Sequence, residues 1–331
     1  MIYVKNSNDD CFFNHAAEEY LMDNFNDEVF MLWANKPSIL IGRNQNTLTE
    51  INYDYVKNNN IDIVRRLSGG GAVFNDSGNI NFTFITYRDR DKHKFKNSFE
   101  KFAFPVIEAL KSLGVHAEFT GRNDIVIENK KISGNAQYFQ KEKLLHHGTL
   151  LFDCDMSNLS SALKSKAQKI KCKGIKSVKG RVTNILPHLK DAISLEEFKS
   201  FLEQYIIDTY NIKEIVEFNN DDLKKIKEIE EERFRSWNWN YGKSPKYEYK
   251  NSVKHACGLI EYNLNVQESM ITDVSIYGDY FGKRDIGELE ETLTGLKHNR
   301  ADLDHGLKDV NLNNYIIGLS KEKFIDDLLE T

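Results

Sequence analysis

The chain has 331 residues, of which 40% are hydrophobic and 29% are charged, values ordinary for a globular protein that can bury a large core. Its formal net charge of −5 argues against a general nucleic-acid binder, which usually carries a basic surplus. Residues 1–10 contain no apolar signal core, and no apolar run approaches the ~20 residues of a membrane helix. The four cysteines form no C-x-x-C pair, which argues against a disulfide scaffold or a structural zinc site. We therefore expect a soluble cytoplasmic protein with two domains.

Hydrophobic spacing predicts both helices and strands in the first half of the chain. The predicted helices are 9–24, with Asp9 or Asp10 as N-cap, and 97–113, with Pro105 inside it. The predicted strands are 28–34, 38–44, 61–67, 79–87, 123–129, 130–139 and 146–153. These elements do not alternate as regular βαβ units, and the segments 28–44 and 123–139 resemble hairpins. The predicted fold class is therefore α+β, a mixed or antiparallel sheet with flanking helices on one side.

The second half of the chain is more helical and then changes character. Ser194 and Glu197 form a capping-box pattern ahead of an apolar run, and 221–236 reads as a charged helix. The later predicted elements are strands at 257–267 and 270–281 and helices at 288–297 and 320–330. The loop around Pro245 separates the two regions. We predict a large domain over 1–246 and a small α/β domain over 247–331.

The densest chemical signal is the segment RRLSGGGAVFNDSGNINFTF at 65–84. Consecutive glycines allow close backbone approach to an anion, and Arg65 or Arg66 can add bidentate contacts to phosphate or carboxylate. The segment is not a Walker A loop, because no G-K-[ST] follows the glycines. Taken without its context, a run of three glycines more often forms a hairpin turn.

A second segment, GRNDIVIENKKISGNAQ at 121–137, combines carboxylate, amide and lysine side chains. Asn123 and Asp124 stand at a strand entrance, where they could hold a magnesium ion or simply form a turn. Lys130 and Lys131 are adjacent in an extended segment, so their side chains should point to opposite faces of the sheet. Alternation predicts that Lys131 shares its face with Ser133 and Asn135.

Two further segments carry histidines and lysines. HHGTLLFDCD at 146–155 places Gly148 beside two histidines at a strand start, and we interpret His146 as satisfying a turn. The segment 164–184 contains seven lysines and one arginine without any acidic residue. Such a run is commonly a solvated face, but the glycines at 174 and 180 also suit a mobile anion-binding loop.

Together these segments resemble the lipoate–protein ligase A family, in the family's order along nearly the whole chain. The resemblance implies a biotin/lipoate ligase-like catalytic domain followed by an accessory domain. It implies two half-reactions: lipoate and Mg²⁺-ATP give lipoyl-AMP and pyrophosphate, and the lipoyl group then passes to a lysine of an apo lipoyl domain. The implied acceptors are lipoyl domains of 2-oxoacid dehydrogenase E2 subunits, the glycine cleavage H protein, or both. A monomer is expected, with no nucleic-acid or membrane partner.

The resemblance also implies roles for individual residues. Lys131 is the implied catalytic cation, which binds both ATP and lipoate, and Asp124 with Asn123 is the implied magnesium position. The other implied ATP- and lipoate-binding residues are Arg66, Ser68, Gly70, Gly71, Ala72, Val73, Phe74, Asn79, Ser133, Gly134, His147, Gly148, Lys173, Gly174, Ser177 and Val178. Residues 173–184 match the adenylate-binding loop. Leu67 departs from the family pattern, because many members carry a third basic residue there.

Three alternative functions remain open at this level. A cysteine-dependent octanoyl or lipoyl acyltransferase of the same fold would need a nucleophile, and Cys154 is the only cysteine inside a matching strand motif. A buried free cysteine is more often a small hydrophobic residue. A non-catalytic partner of a ligase would not need both Lys131 and the C-terminal region. A nucleotide-binding regulator is not favoured, because no DNA-binding helix pair precedes the first motif.

Overall fold

The computed structural model describes residues 1–87, 98–163, 181–241, 249–267 and 269–330. The chain divides into two compact units. The first consists of Met1–Leu40, Ile51–Arg65 and Val73–Asn240. The second consists of Ile41–Glu50, Arg66–Ala72 and Tyr241–Thr331. The predicted domain boundary at 246/247 lies outside the described residues and stays a prediction.

The first unit is built on a mixed sheet. Its strands are β1 (Ile2–Lys5), β2 (Val29–Trp33), β6 (Asn79–Tyr87), β7 (Glu118–Thr120), β8 (Asp124–Ile127), β9 (Lys130–Gln140), β10 (Lys143–Leu151) and β11 (Ile215–Glu217). Their order across the sheet is β11-β1-β2-β6-β10-β9-β8-β7. Strand β1 is parallel to both of its neighbours, whereas the remaining pairs are antiparallel. The predicted α+β class with a mixed sheet is confirmed.

The predicted hairpin over 28–44 is wrong. Strand β2 pairs with β1 and β6, while β3 (Ser38–Ile41) lies in a separate sheet between β4 (Asp62–Arg65) and β5 (Val73–Asn75). All five residues of β2 are buried, so this strand needs neighbours on both edges and cover on both faces. Neighbours distant in sequence supply both edges, which local pattern alone does not reveal.

Helices cover both faces of the large sheet, whereas the sequence predicted them on one side only. The helices outside the C-terminal region are α1 (Cys11–Asn24), α2 (Thr47–Glu50), α3 (Tyr53–Asn58), α4 (Ser98–Ser112), α5 (Met156–Ala162), α6 (Leu195–Thr209), α7 (Asn220–Ile229) and α8 (Trp237–Tyr241). Asp10 caps α1 by accepting from the amides of Phe12 and Phe13, and Ser194 with Glu197 forms the predicted capping box of α6.

Two adjacent residues of β6 identify the two faces. The Thr83 hydroxyl donates to Glu18 of α1 at 2.7 Å, so this side is called the α1 face. The Phe84 ring lies 5.6 Å from the Phe102 ring of α4, so the opposite side is called the α4 face. The α4 face is the apolar core, where burying each phenylalanine contributes about 1.5–3 kcal/mol. The α1 face carries Thr83, Glu18 and further polar side chains.

The C-terminal part of the second unit is a small antiparallel sheet covered by helices. Its elements are β12 (Tyr249–His255), β13 (Gly258–Gln267), β14 (Met270–Gly278), α9 (Ile286–Leu293), α10 (Arg300–Gly306) and α11 (Lys321–Leu329). Tyr262 packs edge-on against Phe324 in its core, and the Tyr262 hydroxyl donates to Asp327 at 2.7 Å. This unit has its own hydrophobic core. Within the described ranges, no helix combines the length and apolar character needed to cross a bilayer.

Candidate active site

A bulge in β9 decides where the Lys131 side chain points. Val126 pairs with Lys131 and Ile125 pairs with Ser133, so Ile132 is an extra residue without a partner in β8. Cross-strand partners share a face, and Ile125 and Val126 are adjacent in β8, so Lys131 and Ser133 lie on opposite faces. The prediction that Lys131 shares a face with Ser133 and Asn135 is therefore wrong. Strict alternation fails at the bulge.

The Lys131 ammonium is held by a carboxylate on the α1 face. Its Nζ lies 2.7 Å from Oδ1 of Asp124, and the two side chains are 33% and 37% exposed, so both remain accessible. A Cβ added to Gly134 would lie 2.7 Å from Nζ, so this position leaves space for the lysine. Lys130 is exposed and lies on the opposite face, as predicted.

The end of the predicted adenylate-binding loop is anchored to Lys131. The Lys131 amide donates to the Arg181 carbonyl at 2.8 Å, and the Thr183 amide donates to the Lys131 carbonyl at 3.0 Å. These two bonds make a short parallel bridge between Lys131 and Val182. The predicted binding residues Lys173, Gly174, Ser177 and Val178 lie outside the described residues, so their roles stay predictions.

A network of side-chain hydrogen bonds that includes the buried residues Asn135 and His146 holds the turn that precedes Asp124. The Asn123 side chain donates to the Asn135 carbonyl at 2.6 Å, and the Asn135 amide and side chain both donate to the Asn123 carbonyl. Asn135 Oδ1 in turn accepts from His146 Nε2 at 3.1 Å. His146 is therefore a buried sheet residue and not a turn residue.

His146 is neutral in this network. Burial holds the pKa of His146 well below its ordinary value, and the neighbouring His147 adds to this effect. The neutral ring suits its partners, because Nδ1 accepts from Gln137 at 3.1 Å while Nε2 donates to Asn135. The chain of amides thus fixes the Asn123–Asp124 turn beside Lys131.

The α1 face carries a second polar cluster, around Glu18. Its carboxylate accepts from His147 Nδ1 at 2.9 Å, from His15 Nδ1 at 3.0 Å and from Thr83. Trp33 donates to the Thr83 hydroxyl at 2.9 Å. Burial alone would raise the pKa of Glu18, but the charge and hydrogen bonds of the two histidines hold it well below its ordinary value. Glu18 is therefore an anion at neutral pH.

The sequence interpretation missed most of this cluster, because only His147 was singled out. The available signal was His15 and Glu18 at i, i+3 spacing, which places them side by side on one helix. The triad of His15, Glu18 and His147 is spaced closely enough to hold a metal ion. However, each histidine already donates directly to the carboxylate, so a hydrogen-bonded network accounts for the geometry.

Three predicted site residues have structural neighbours that explain their identity. Gly148 lies on the α4 face, where an added Cβ would come within 2.4 Å of the Phe82 ring. Asn79 is fully buried, and its Oδ1 accepts from the Cys154 thiol at 2.8 Å. Ser133 accepts from the Asn135 side chain on the α4 face. Val73 and Phe74 lie in β5, paired with β3.

The surroundings of Cys154 indicate a structural role. The Asn184 side chain bonds both its backbone amide and its carbonyl, at 3.1 and 3.0 Å. Burial, followed by the Asp76 carboxylate beside it, raises the pKa of the Cys154 thiol. A thiol in such surroundings is a poor nucleophile.

The segment Arg66–Ala72, called the glycine loop, belongs to the second unit. It contains the remaining predicted residues of the first motif, which are Arg66, Ser68, Gly70, Gly71 and Ala72. Arg66 is buried and braces this loop: its Nη2 donates to the carbonyls of Gly69 and Gly71 at 2.9 and 2.8 Å, and its Nε donates to Ser68 at 3.1 Å. Gly70 has a φ of +94°, which favours glycine, and its amide donates to the Tyr280 carbonyl at 3.1 Å. Ala72 closes the segment.

The residues at the predicted magnesium position fit such an ion in part. Magnesium commonly takes one or two carboxylates and completes its shell with water and phosphate oxygens, and the partly exposed Asp124 carboxylate suits that role. The Asn123 side chain and carbonyl already form hydrogen bonds with Asn135. Asn123 therefore suits a role in fixing the turn rather than in binding the ion.

Comparisons with known proteins agree with the motif order. A family model described as the lipoyl protein ligase A/B catalytic domain matches residues 10–207, and one described as the bacterial lipoate protein ligase C-terminus matches residues 244–328. The chain is 44% identical to lipoate-protein ligase LplJ of Bacillus subtilis, over 98% of this chain and 99% of that protein.

Solved structures show the same likeness. The crystal structure of P. falciparum LipL1 in complex with lipoate aligns with a TM-score of 0.80 and 25% identity, covering 99% of this chain and 98% of that one. A bi-partite lipoate protein ligase from Thermoplasma acidophilum, described with its E2 lipoyl domain, aligns with a TM-score of 0.64 and 26% identity. It covers 75% of this chain and 98% of that one.

Proposed function

The chain belongs to the lipoate–protein ligase family, and on that premise we propose that it activates lipoate with Mg²⁺-ATP and transfers the lipoyl group to apo lipoyl domains. The observation that carries this proposal is the position of the Lys131 ammonium, whose Nζ lies 2.7 Å from Oδ1 of Asp124 on the α1 face of the sheet. This site needs no protein nucleophile, because the lipoate carboxylate itself attacks ATP.

Each half-reaction balances without a covalent enzyme intermediate. A lipoate carboxylate oxygen bonds to the α-phosphorus of ATP, and pyrophosphate leaves. The amine of the acceptor lysine then attacks the lipoyl carbonyl carbon, loses a proton, and AMP leaves. Both steps build negative charge on oxygens, which a preorganised cation stabilises. We propose that Lys131 does this at the carbonyl and α-phosphate oxygens.

The other residues have roles in binding the substrates or in positioning Lys131. Asp124 orients the lysine and would hold a magnesium ion, which would supply charge neutralisation to the phosphates. The Asn123–Asn135–His146 network fixes that turn, as the hydrogen bonds above describe. We also propose that Arg66 and the glycines after it bind the nucleotide, and that the basic segment 173–184 binds the adenylate.

The acceptors we propose are the apo lipoyl domains of 2-oxoacid dehydrogenase E2 subunits, the glycine cleavage H protein, or both. The Thermoplasma acidophilum ligase is described with its E2 lipoyl domain, which supports this class of partner. We propose that the protein acts in the cytoplasm as a monomer.

One assay tests the proposed function. The purified protein is mixed with lipoate, ATP, Mg²⁺ and an apo lipoyl domain, and the acceptor is weighed by mass spectrometry. We expect a lipoyl adduct that requires ATP. A parallel reaction replaces lipoate and ATP with an acylated carrier protein. An adduct formed equally well in that reaction would contradict the ligase function and support the acyltransferase alternative.

Replacing Cys154 with alanine should leave the rate of lipoylation within about tenfold of the wild type, corresponding to mild packing damage of ~1.4 kcal/mol. The reason is that its raised thiol pKa and its hydrogen bond to Asn79 give it a structural role. Cys11→Ala, which removes another buried thiol, is the matched control. Complete loss of activity in a folded Cys154→Ala protein, or a thioester trapped on Cys154, would contradict the prediction.

A further inference from the structure

Asn81 is an unusual residue on the α1 face of the sheet. Its side chain is buried, with a relative exposure of 1%, yet neither its amide nitrogen nor its amide oxygen has a hydrogen-bond partner among the described residues. A buried amide without partners is destabilising, so native proteins usually satisfy it with protein, water or ligand. The neighbouring Thr83, in contrast, is fully engaged by Glu18 and Trp33.

The position of Asn81 relative to Lys131 follows from the strand register. Asn81 pairs with Thr149 of β10, and the Thr149 hydroxyl accepts from the amide of Gly134 in β9. Gly134 is the residue over which the Lys131 ammonium lies. Adjacent strands are about 4.8 Å apart, so Asn81 lies two strand spacings, roughly 10 Å, from Gly134 along the same face.

That distance matches the length of the acyl substrate. With its carboxylate at Lys131, an extended eight-carbon chain running across the strands would bring its far end to Asn81. In lipoate this far end is a dithiolane ring, whereas in octanoate it is a plain alkyl terminus. The two acids thus differ at the place where the protein presents a buried amide.

We propose that Asn81 makes the protein selective for an acyl chain that ends in a sulfur-containing ring over a saturated chain of the same length. The Asn81 amide donates to a ring sulfur, which is a weak acceptor. A saturated chain offers no acceptor and leaves the amide desolvated and unpaired, which penalises its binding. This inference rests on the proposed function.

The test compares Asn81→Leu, which keeps the number and branching of the side-chain heavy atoms without the amide, with the wild-type protein. Pyrophosphate release is measured with lipoate and with octanoate, and kcat/KM is determined for each acid. We expect the octanoate-to-lipoate ratio of kcat/KM to rise about tenfold in the variant. The unfolding temperature should not fall, because the substitution removes a buried polar group that has no protein partner among the described residues.

Thr86→Val is the matched control. Thr86 is in the same strand, its buried hydroxyl also has no partner within the described part of the chain, and it lies on the α4 face. The ratio should stay within about twofold of wild type in this variant. If Asn81→Leu folds poorly, Asn81→Ala is measured against the same control.

A second measurement does not depend on any variant. The side-chain amide signals of Asn81 in the ¹⁵N spectrum of the wild-type protein should shift when lipoate is added, and shift less with octanoate. An unchanged ratio in Asn81→Leu, an equal loss for both acids, or identical spectral shifts would overturn the inference. A wild-type protein inactive with both acids would instead refute the proposed function.

Discussion

Replacing Lys131 with alanine is expected to lower the rate of lipoate-dependent pyrophosphate release by about 10²–10³-fold or more. One preorganised donor at a site of developing charge is worth roughly 3–4 kcal/mol. Lys131 meets this description because Asp124 holds its ammonium in place and the β9 bulge turns its side chain toward the α1 face. Lys131→Arg should also be badly impaired, because the planar guanidinium does not reproduce the compact ammonium geometry.

Lys130→Ala is the matched control for this prediction. Lys130 is adjacent in sequence, exposed, and on the opposite face, so its replacement should leave the rate near that of the wild type. Loss of activity in Lys130→Ala together with retention in Lys131→Ala would show that the bulge and the register of β9 are misassigned.

Replacing Glu18 with leucine should cost about 3–5 kcal/mol of unfolding free energy, the loss typical of removing one partner from a buried ion pair. The carboxylate accepts from His15, His147 and Thr83, so its removal takes one shared acceptor from three buried donors. Urea denaturation of the variant measures this loss. Glu217→Gln is the control, because the exposed Lys5–Glu217 pair at 3.9 Å contributes little.

The stabilisation of the folded protein by the Glu18 carboxylate should depend on pH, because the pKa of Glu18 is lowered on folding. The pKa of Glu18 is lowered in the folded protein, so its stabilisation is fully present above the unfolded pKa of about 4.3. It is lost as the pH falls from that value toward the folded pKa. The stability difference between wild type and Glu18→Gln should therefore shrink as the pH falls below about 4.3. A difference that grows as the pH falls below that value would contradict the buried anion.

Local patterns determined the elements and the family of this protein. Apolar spacing and capping residues predicted strand β6 over 79–87 and the box at Ser194–Glu197, because side-chain periodicity and caps depend on neighbouring residues only. The motif order gave a resemblance that the comparisons confirm. The location of Lys130 and Lys131 on opposite faces also followed from alternation.

The tertiary structure alone decided which residues meet. The partners of β2 come from distant strands, and the bulge at Ile132 reverses the face on which Ser133 and Asn135 lie relative to Lys131. The burial of Glu18 likewise depends on helix α1 packing over the sheet, where Glu18 accepts from Thr83 of β6. Sequence spacing reports only short-range geometry, whereas pairing register, bulges and the satisfaction of buried polar groups are set by contacts between residues far apart in the chain.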